Sequence, residues 1–286
     1  MMKIAQTIDA IRAAREEYGL ESVGLVPTMG YLHEGHLELV RRARKENDRV
    51  IVTIYVNPKQ FGPSEDLSRY PRDMEHDLEL LSNENVDTVF APSDEAMYPA
   101  DYQTTVIVTQ VTQPLEGARR PTHFEGVTTV VTKLFNLCRP TRAYFGQKDA
   151  QQVAVLRQMV RDLNFNLEIV VCPTVREKDG LALSSRNKYL TAEQRAAAPA
   201  LHQSLRAATV LWAQGERNSD TLRAAMLDIL SAVPSARVDY VSAANPTTLQ
   251  EYSDTVAAGQ GILFSMAVFF GQTRLIDNVL LPPGAE

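Results

Sequence analysis

The chain is poor in cysteine. Only Cys138 and Cys172 occur among 286 residues, with neither metal-type spacing nor a partner motif. That count and spacing argue against a disulfide framework or a zinc finger and leave the buried, reduced thiols of a cytosolic protein. No apolar run approaches the ~20 residues needed to cross a bilayer. The amino-terminal stretch MMKIAQTIDAIRAAREEYG is charged and helical in pattern, without the apolar core of a signal peptide. The expected location is therefore cytoplasmic, with no membrane partner. Excess positive charge is also missing: 29 lysines and arginines stand against 35 aspartates and glutamates, a net charge of −6. No nucleic-acid partner is expected, and an anionic substrate must find its positive charge locally. Internal repeats and low-complexity stretches are absent as well.

What is present is the composition of an ordinary globular protein, 44% apolar and 22% charged, with length enough for two domains. Strand-like segments at 22–28, 49–58, 86–92, 104–110, 142–146 and 166–174 are interleaved with helix-like ones at 5–18, 35–47, 71–83, 126–138 and 149–163. The strands are apolar almost throughout, which predicts a parallel sheet covered on both faces. The expected fold class is α/β, with a Rossmann-like doubly wound parallel sheet over residues 1–175. Beyond it, two alanine-rich helices near 191–214 and 217–232, a strand at 237–243 and a hairpin of 261–271 with 273–281 predict a smaller α+β domain over 176–286.

The stretch PTMGYLHEGH, residues 27–36, joins a strand to a helix. Ligands of a doubly wound sheet sit at the carboxyl ends of strands, and a helix N-terminus there favours an anion. His33 and His36, three apart, place both rings on one helix face as hydrogen-bond donors to phosphate. Gly35 removes a Cβ where a ring would lie close. Zinc is the lesser reading, because a zinc site wants three or four ligands.

Three more loops carry polar chemistry. In YVNPKQFGPSEDLSRYPRD (55–73), Asn57 and Gln60 are neutral amides at a strand's carboxyl end, suited to hydroxyls and carboxylates, although the segment alone reads first as a polar turn at Pro58. A long loop with Gly62, Pro63 and Pro71 follows. In YFGQKDAQQ (144–152), Lys148 stands at a helix start, where the dipole disfavours a cation unless it meets phosphate. In LALSSRNKYL (181–190), two serines and Arg186 suit either a clamp for polyphosphate or, for the piece taken alone, a helix N-cap or solvated loop. GARRPTHFEGV (117–127) adds Arg119, Arg120 and His123 to what reads as a concentrated anion site.

These motifs, together with CPTVRE and DGLALSSRN, closely resemble the pantothenate synthetase (pantoate–β-alanine ligase) family of the His-x-Gly-His nucleotidylyltransferases. The resemblance covers nearly all of the first domain and the start of the second, and thins to layout and VDYV in the last hundred residues. It implies a ligase that condenses pantoate with β-alanine, using ATP and Mg²⁺ and releasing AMP and pyrophosphate through a pantoyl adenylate. It also implies a homodimer, joined through the first domain. By the same resemblance, Met29, Gly30, Tyr31, Leu32, His33, Glu34, Gly35 and His36 line the ATP site, with His33 and His36 on phosphates and His36 as proton donor. Gly146, Gln147, Lys148 and Asp149 hold ATP, Lys148 by phosphate and Asp149 by ribose. Val175 meets adenine through its backbone, and Leu183, Ser184, Ser185 and Arg186 close over the phosphates. Gln60 and Gln152 hold pantoate, and Asn57 lies close by. Magnesium is expected mainly on ATP phosphates and water, with Asp77 as a candidate protein ligand apart from the resemblance. Gln147 and Leu183 depart from the family's usual Glu and Met, and neither change removes a phosphate-binding charge.

The chemistry suits these groups. A carboxylate must attack the α-phosphorus of ATP, both partners are anions, and His33, His36, Lys148 and Arg186 supply positioning and neutralisation. Two rival readings remain. One is another adenylyltransferase of the superfamily that keeps the adenylyl group on its product, and the two glutamines argue against it. The other is a non-catalytic ATP sensor, which would release no pyrophosphate.

Overall fold

The computed structural model describes residues 2–63 and 65–283. In chain order the elements are β1 (Lys3–Ala5), α1 (Ile8–Glu17), β2 (Val23–Thr28), α2 (Glu34–Glu46), β3 (Arg49–Ile54), α3 (Met74–Asn83), β4 (Thr88–Phe90), α4 (Asp94–Met97), α5 (Glu116–Arg119), α6 (His123–Cys138), β5 (Arg142–Gly146), α7 (Ala150–Asp162), β6 (Glu168–Cys172), α8 (Ala192–Ala197), α9 (Ala200–Ala213), α10 (Ser219–Ser231), β7 (Ala236–Ala244), β8 (Ile262–Phe270) and β9 (Thr273–Leu281). They form two compact units, residues 1–146 with 155–173, and residues 147–154 with 174–286.

The first unit is built on a six-stranded parallel sheet of order β1-β4-β3-β2-β5-β6. Its central strands are buried throughout, as Val50, Ile51, Val52 and Thr53 of β3 show. Helices cover them: α2 turns Leu37, Leu39, Val40 and Ala43 inward, and this apolar stripe at helical spacing is why EGHLELVRRARKE folds as it does. From β2 the chain steps to β3 and β4 on one side, then returns to place β5 on the other side of β2. The strand order therefore reverses between β2 and β5, and their carboxyl ends, Thr28 and Gly146, flank the position where such sheets bind ligands.

The expected strand at 104–110 does not form. The Val106 N–H donates to Thr129 Oγ1 at 3.0 Å, and Thr128 Oγ1 donates to the Val106 carbonyl at 2.5 Å. Hydroxyls of α6 thus satisfy the backbone groups that a sheet neighbour would have taken. The strand expected over 49–58 ends at Ile54, because Asn57 caps a 3-10 turn at Pro58–Gln60. Conversely, β1 is a strand that the helical pattern of the amino terminus concealed.

The second unit packs α9 and α10 on one face of the antiparallel sheet β7-β8-β9. Alternation in β8 sets that face: Phe264, Met266, Val268 and Phe270 join Leu201, Leu205, Trp212, Leu222 and Met226 in one apolar core. The single alanine-rich helix expected over 191–214 is two, α8 and α9, with Pro199 between them.

Candidate active site

In the first unit the site is built on the turn after β2. Gly30 (φ +78°) and Tyr31 (φ +51°) both take left-handed backbone, which reverses the chain into α2. A single carboxylate holds this turn: Asp77 Oδ2 accepts from the Tyr31 N–H at 2.8 Å and Oδ1 from the Leu32 N–H at 2.7 Å. Asp77 is 1% exposed. Burial pushes its carboxyl up from the ordinary range, against the pull of the two amides. Each oxygen of Asp77, the candidate magnesium ligand, thus accepts one backbone amide. Among the described residues no group of three or more His, Cys, Asp or Glu is arranged to hold a metal ion.

His33 caps α2, its Nδ1 accepting from the Gly35 N–H at 3.1 Å, and His36 Nδ1 accepts from the His33 N–H at 3.3 Å. The rings lie 4.0 Å apart between centroids. An Nδ1 that accepts a backbone amide carries no proton, so the proton of each neutral ring sits on Nε2. The expected pairing of the two histidines is thus met, and the capping bonds fix both tautomers as Nε2–H donors.

Behind the turn lies the Asn57–Gln60 pair. Asn57, 1% exposed, accepts at Oδ1 from the Lys59 N–H (3.3 Å) and the Tyr98 hydroxyl (2.9 Å), and donates from Nδ2 to the Gly126 carbonyl (3.0 Å) and Gln60 Oε1 (3.1 Å). Its amide is therefore fully engaged by protein. Gln60 directs its Nε2 at Met29 Sδ, 3.0 Å away. Gly126 makes this possible: a Cβ there would stand 2.3 Å from the Lys59 carbonyl oxygen and 2.6 Å from the Gln60 nitrogen. Tyr98 and Gly126 have no signal in motif spacing, because their partners are distant in the chain.

Two of the groups expected to concentrate charge at 117–127, Arg120 and His123, are used otherwise. Arg120 grips Glu65 with two bonds of 2.8 and 2.7 Å, tying down the loop after Gln60. Burial raises the Glu65 carboxyl, but Arg120 outweighs it and the net direction is down. His123 is pushed down to about 4 by burial and by the Arg120 charge, so at neutral pH it is uncharged and its Nδ1–H donates to the Gln60 carbonyl at 2.9 Å. These residues brace the Gln60 turn rather than concentrate positive charge.

In the second unit, Gln147–Asp149 forms a 3-10 turn leading into α7, whose first turn carries Gln152. Lys148 Nζ is 4.0 Å from Asp149 Oδ1. Asn278 of β9 holds this turn, donating to the Gln147 and Lys148 carbonyls and accepting from Gln147 Nε2 at 3.0 Å. A glutamate at 147 could not donate that last bond unless protonated, which gives the Gln147 departure a local reason. Val175 and Leu183 are brought together, the Leu183 N–H donating to the Val175 carbonyl at 3.0 Å. Ser184 caps the 3-10 turn Ser185–Tyr189 by accepting from the Arg186 N–H at 3.3 Å, so Arg186 stands in its first turn. Neither cysteine competes as a nucleophile: both are free and buried, and burial pushes the Cys138 thiol up to about 12.

Residues 3–280 match the family model described as pantoate-beta-alanine ligase. A pantothenate synthetase from Chloroflexus aurantiacus is 59% identical over 280 residues, 98% of each chain, and one from Thermotoga neapolitana is 53% identical over 282 residues. Among solved structures, pantothenate synthetase from Thermus thermophilus superposes with a TM-score of 0.92 at 50% identity, covering 99% of this chain and 100% of the other. The pantoate-beta-alanine ligase from Francisella tularensis, solved with a β,γ-ATP ligand and β-alanine, gives a TM-score of 0.80 at 34% identity, with 98% of each chain covered.

Proposed function

We propose, from the premise that the chain belongs to the pantoate-beta-alanine ligase family, a mechanism of adenylation followed by amide formation. The chain is a ligase that condenses pantoate with β-alanine at the expense of ATP. The pantoate carboxylate attacks the α-phosphorus of ATP, breaking the bond to the pyrophosphate leaving group and forming a pantoyl adenylate. The β-alanine amine then attacks the acyl carbon, and AMP leaves. ATP is taken as its magnesium complex. Magnesium would be held mainly by ATP phosphates and water, where it would neutralise phosphate charge, while Asp77 braces the turn by accepting the Tyr31 and Leu32 amides.

The observation that carries this reading is the pair of fixed Nε2–H donors on His33 and His36 at the start of α2. Preorganised donors that need no reorientation are what a negatively charged, pentavalent transition state rewards. His36 gives a hydrogen bond or proton to the departing pyrophosphate, and His33 holds phosphate oxygen beside it. Lys148 and Arg186 neutralise phosphate charge, Asp149 takes a ribose hydroxyl, and the Val175 backbone meets adenine. Gln60 and Gln152 hold the hydroxy acid, while Asn57, already saturated, serves by orienting Gln60. The same reading carries a homodimer in the cytoplasm, the former checked by the mass of the chain in solution. The test of the reaction is pyrophosphate release with pantoate, ATP and Mg²⁺. A burst without amine, and AMP released on adding β-alanine, are expected. AMP at the same rate without β-alanine would refute the order of steps.

A further inference from the structure

Two adjacent residues of β9, Asp277 and Asn278, reach two segments of the second unit. Asn278 is 5% exposed. Its Nδ2 donates to the Gln147 carbonyl at 3.0 Å and to the Lys148 carbonyl at 2.8 Å. Both hydrogens of the amide are thus spent on one turn, and Oδ1 accepts from Gln147 Nε2 at 3.0 Å. Asp277, equally buried, takes the Arg176 guanidinium with two bonds of 2.6 and 2.9 Å. Arg176 also donates to the Gly180 carbonyl at 3.0 Å. It stands in the short hairpin formed by Arg176 pairing with Ala182, which runs directly into Leu183.

Neighbouring residues of a strand point to opposite faces, so one stretch of β9 grips one segment from each. The strand itself is fixed by pairing along β8, Met266 opposite Asp277 and Ser265 opposite Asn278. The 147–149 segment is a single 3-10 turn at the start of α7, and Asn278 ties two of its carbonyls to the strand. A lysine side chain is a flexible tether; where its ammonium can be held depends on where its backbone leaves.

We propose that Asn278 and Asp277 are positioning residues for ATP: Asn278 sets the backbone from which Lys148 departs, and Asp277, through Arg176, sets the hairpin that leads to Ser184–Arg186. The proposal rests on the reading of Lys148 and Arg186 as phosphate ligands. It adds that the carboxyl-terminal strand governs their placement, although none of its side chains is assigned to a substrate.

The test is a double-mutant cycle of Asn278→Leu with Lys148→Met, read as kcat/KM for ATP and for pantoate alongside the thermal midpoint. Asn278→Leu is expected to lower kcat/KM for ATP about tenfold, the worth of a buried hydrogen-bonded pair lost at one turn, with KM for pantoate within about twofold of wild type. In the Lys148→Met background the same change is expected to cost almost nothing further. An equal rise in KM for both substrates, or losses in kcat/KM for ATP that multiply in the double variant, overturns the positioning role. If Lys148→Met alone leaves kcat/KM for ATP unchanged, the phosphate-ligand reading fails and the proposal falls with it. Should Asn278→Leu not fold, Asn278→Ser retains one donor and carries the same expected pattern at smaller amplitude.

Discussion

Asn57 donates its Nδ2 to Gln60 Oε1 at 3.1 Å, and the direction of that bond is imposed from elsewhere. The Lys59 N–H and the Tyr98 hydroxyl both point donors at Asn57 Oδ1, and the Gly126 carbonyl requires a donor from Nδ2. Reversing the Asn57 amide would set donor against donor and acceptor against acceptor. Gln60 is therefore compelled to accept from Asn57 and to offer its own NH₂ outward.

An isosteric change at Asn57 tests this. Asn57→Asp removes the donor, turns an acceptor on the Gly126 carbonyl and leads the Gln60 amide to flip. Pantoate, which needs a donor for its carboxylate or hydroxyl, is then expected to show a KM raised about tenfold or more. KM for ATP should stay within about twofold of wild type. Steady-state pyrophosphate release, with each substrate varied in turn, makes the comparison; equal rises in both constants would show that Asn57 is a general fold determinant.

Asp77→Asn separates a brace from a metal ligand. Asparagine offers one acceptor where the Tyr31 and Leu32 amides need two, and its NH₂ would face an N–H. The expected cost is about 1–3 kcal/mol of stability, with a lower rate that added Mg²⁺ does not restore. Recovery of activity at high Mg²⁺ would place the metal on Asp77 after all. Gly30→Ala should fail for a related reason: a Cβ at φ +78° would stand 2.9 Å from both Asp77 Oδ2 and Ile54 Cγ2.

The parts of this site that were legible in the sequence are those in which chemistry and spacing fall within one short segment. His33 and His36 meet because three residues are nearly one helical turn. Strands such as RVIVTI declare themselves by continuous apolar content, and Pro27 at an inner strand did not disturb the reading. What was illegible depends on partners far along the chain. Residues 104–110 have the composition of a strand, yet Thr128 and Thr129, over twenty residues away, take its backbone bonds. Nothing local to Asp77 reveals that the Tyr31 and Leu32 amides, 46 and 45 residues earlier, donate to its oxygens. Arg120 and His123 looked like free cations, whereas Glu65 and burial remove that role. Tyr98 and Asn278 carry no motif at all and are found only by following the donors.

His123 gives the protein a pH dependence of stability with a definite sign. Its folded-state pKa is about 4 against an ordinary 6.5. Between those values the unfolded chain binds the extra proton, so stability rises with pH through this window and is progressively lost on acidification from about pH 6.5 toward pH 4. The change is on the order of 3 kcal/mol at ~1.4 kcal/mol per pKa unit. His123→Asn, which keeps a donor near the position of Nδ1, should flatten this part of the profile while leaving stability at pH 7 within about 1 kcal/mol of the parent, the scale of one retained hydrogen bond. Urea unfolding at a series of pH values measures both slopes.

The two nitrogens of His36 have separate duties, and two substitutions divide them. Nδ1 accepts from the His33 N–H and so belongs to the helix cap, whereas Nε2–H is the donor that the proposed chemistry uses. Asparagine reproduces an acceptor near Nδ1 and nothing near Nε2. His36→Asn is therefore expected to keep the thermal midpoint close to wild type while pyrophosphate release with pantoate falls ~10²–10³-fold, the loss typical of removing one donor to a developing oxyanion. Glutamine reproduces a donor near Nε2 and gives up the cap. His36→Gln should lose ~1 kcal/mol of stability, as a missing cap does, yet retain more of the rate than His36→Asn. The reverse ranking, with glutamine slower than asparagine, would mean that His36 serves the turn alone and that the proton reaching pyrophosphate comes from another group.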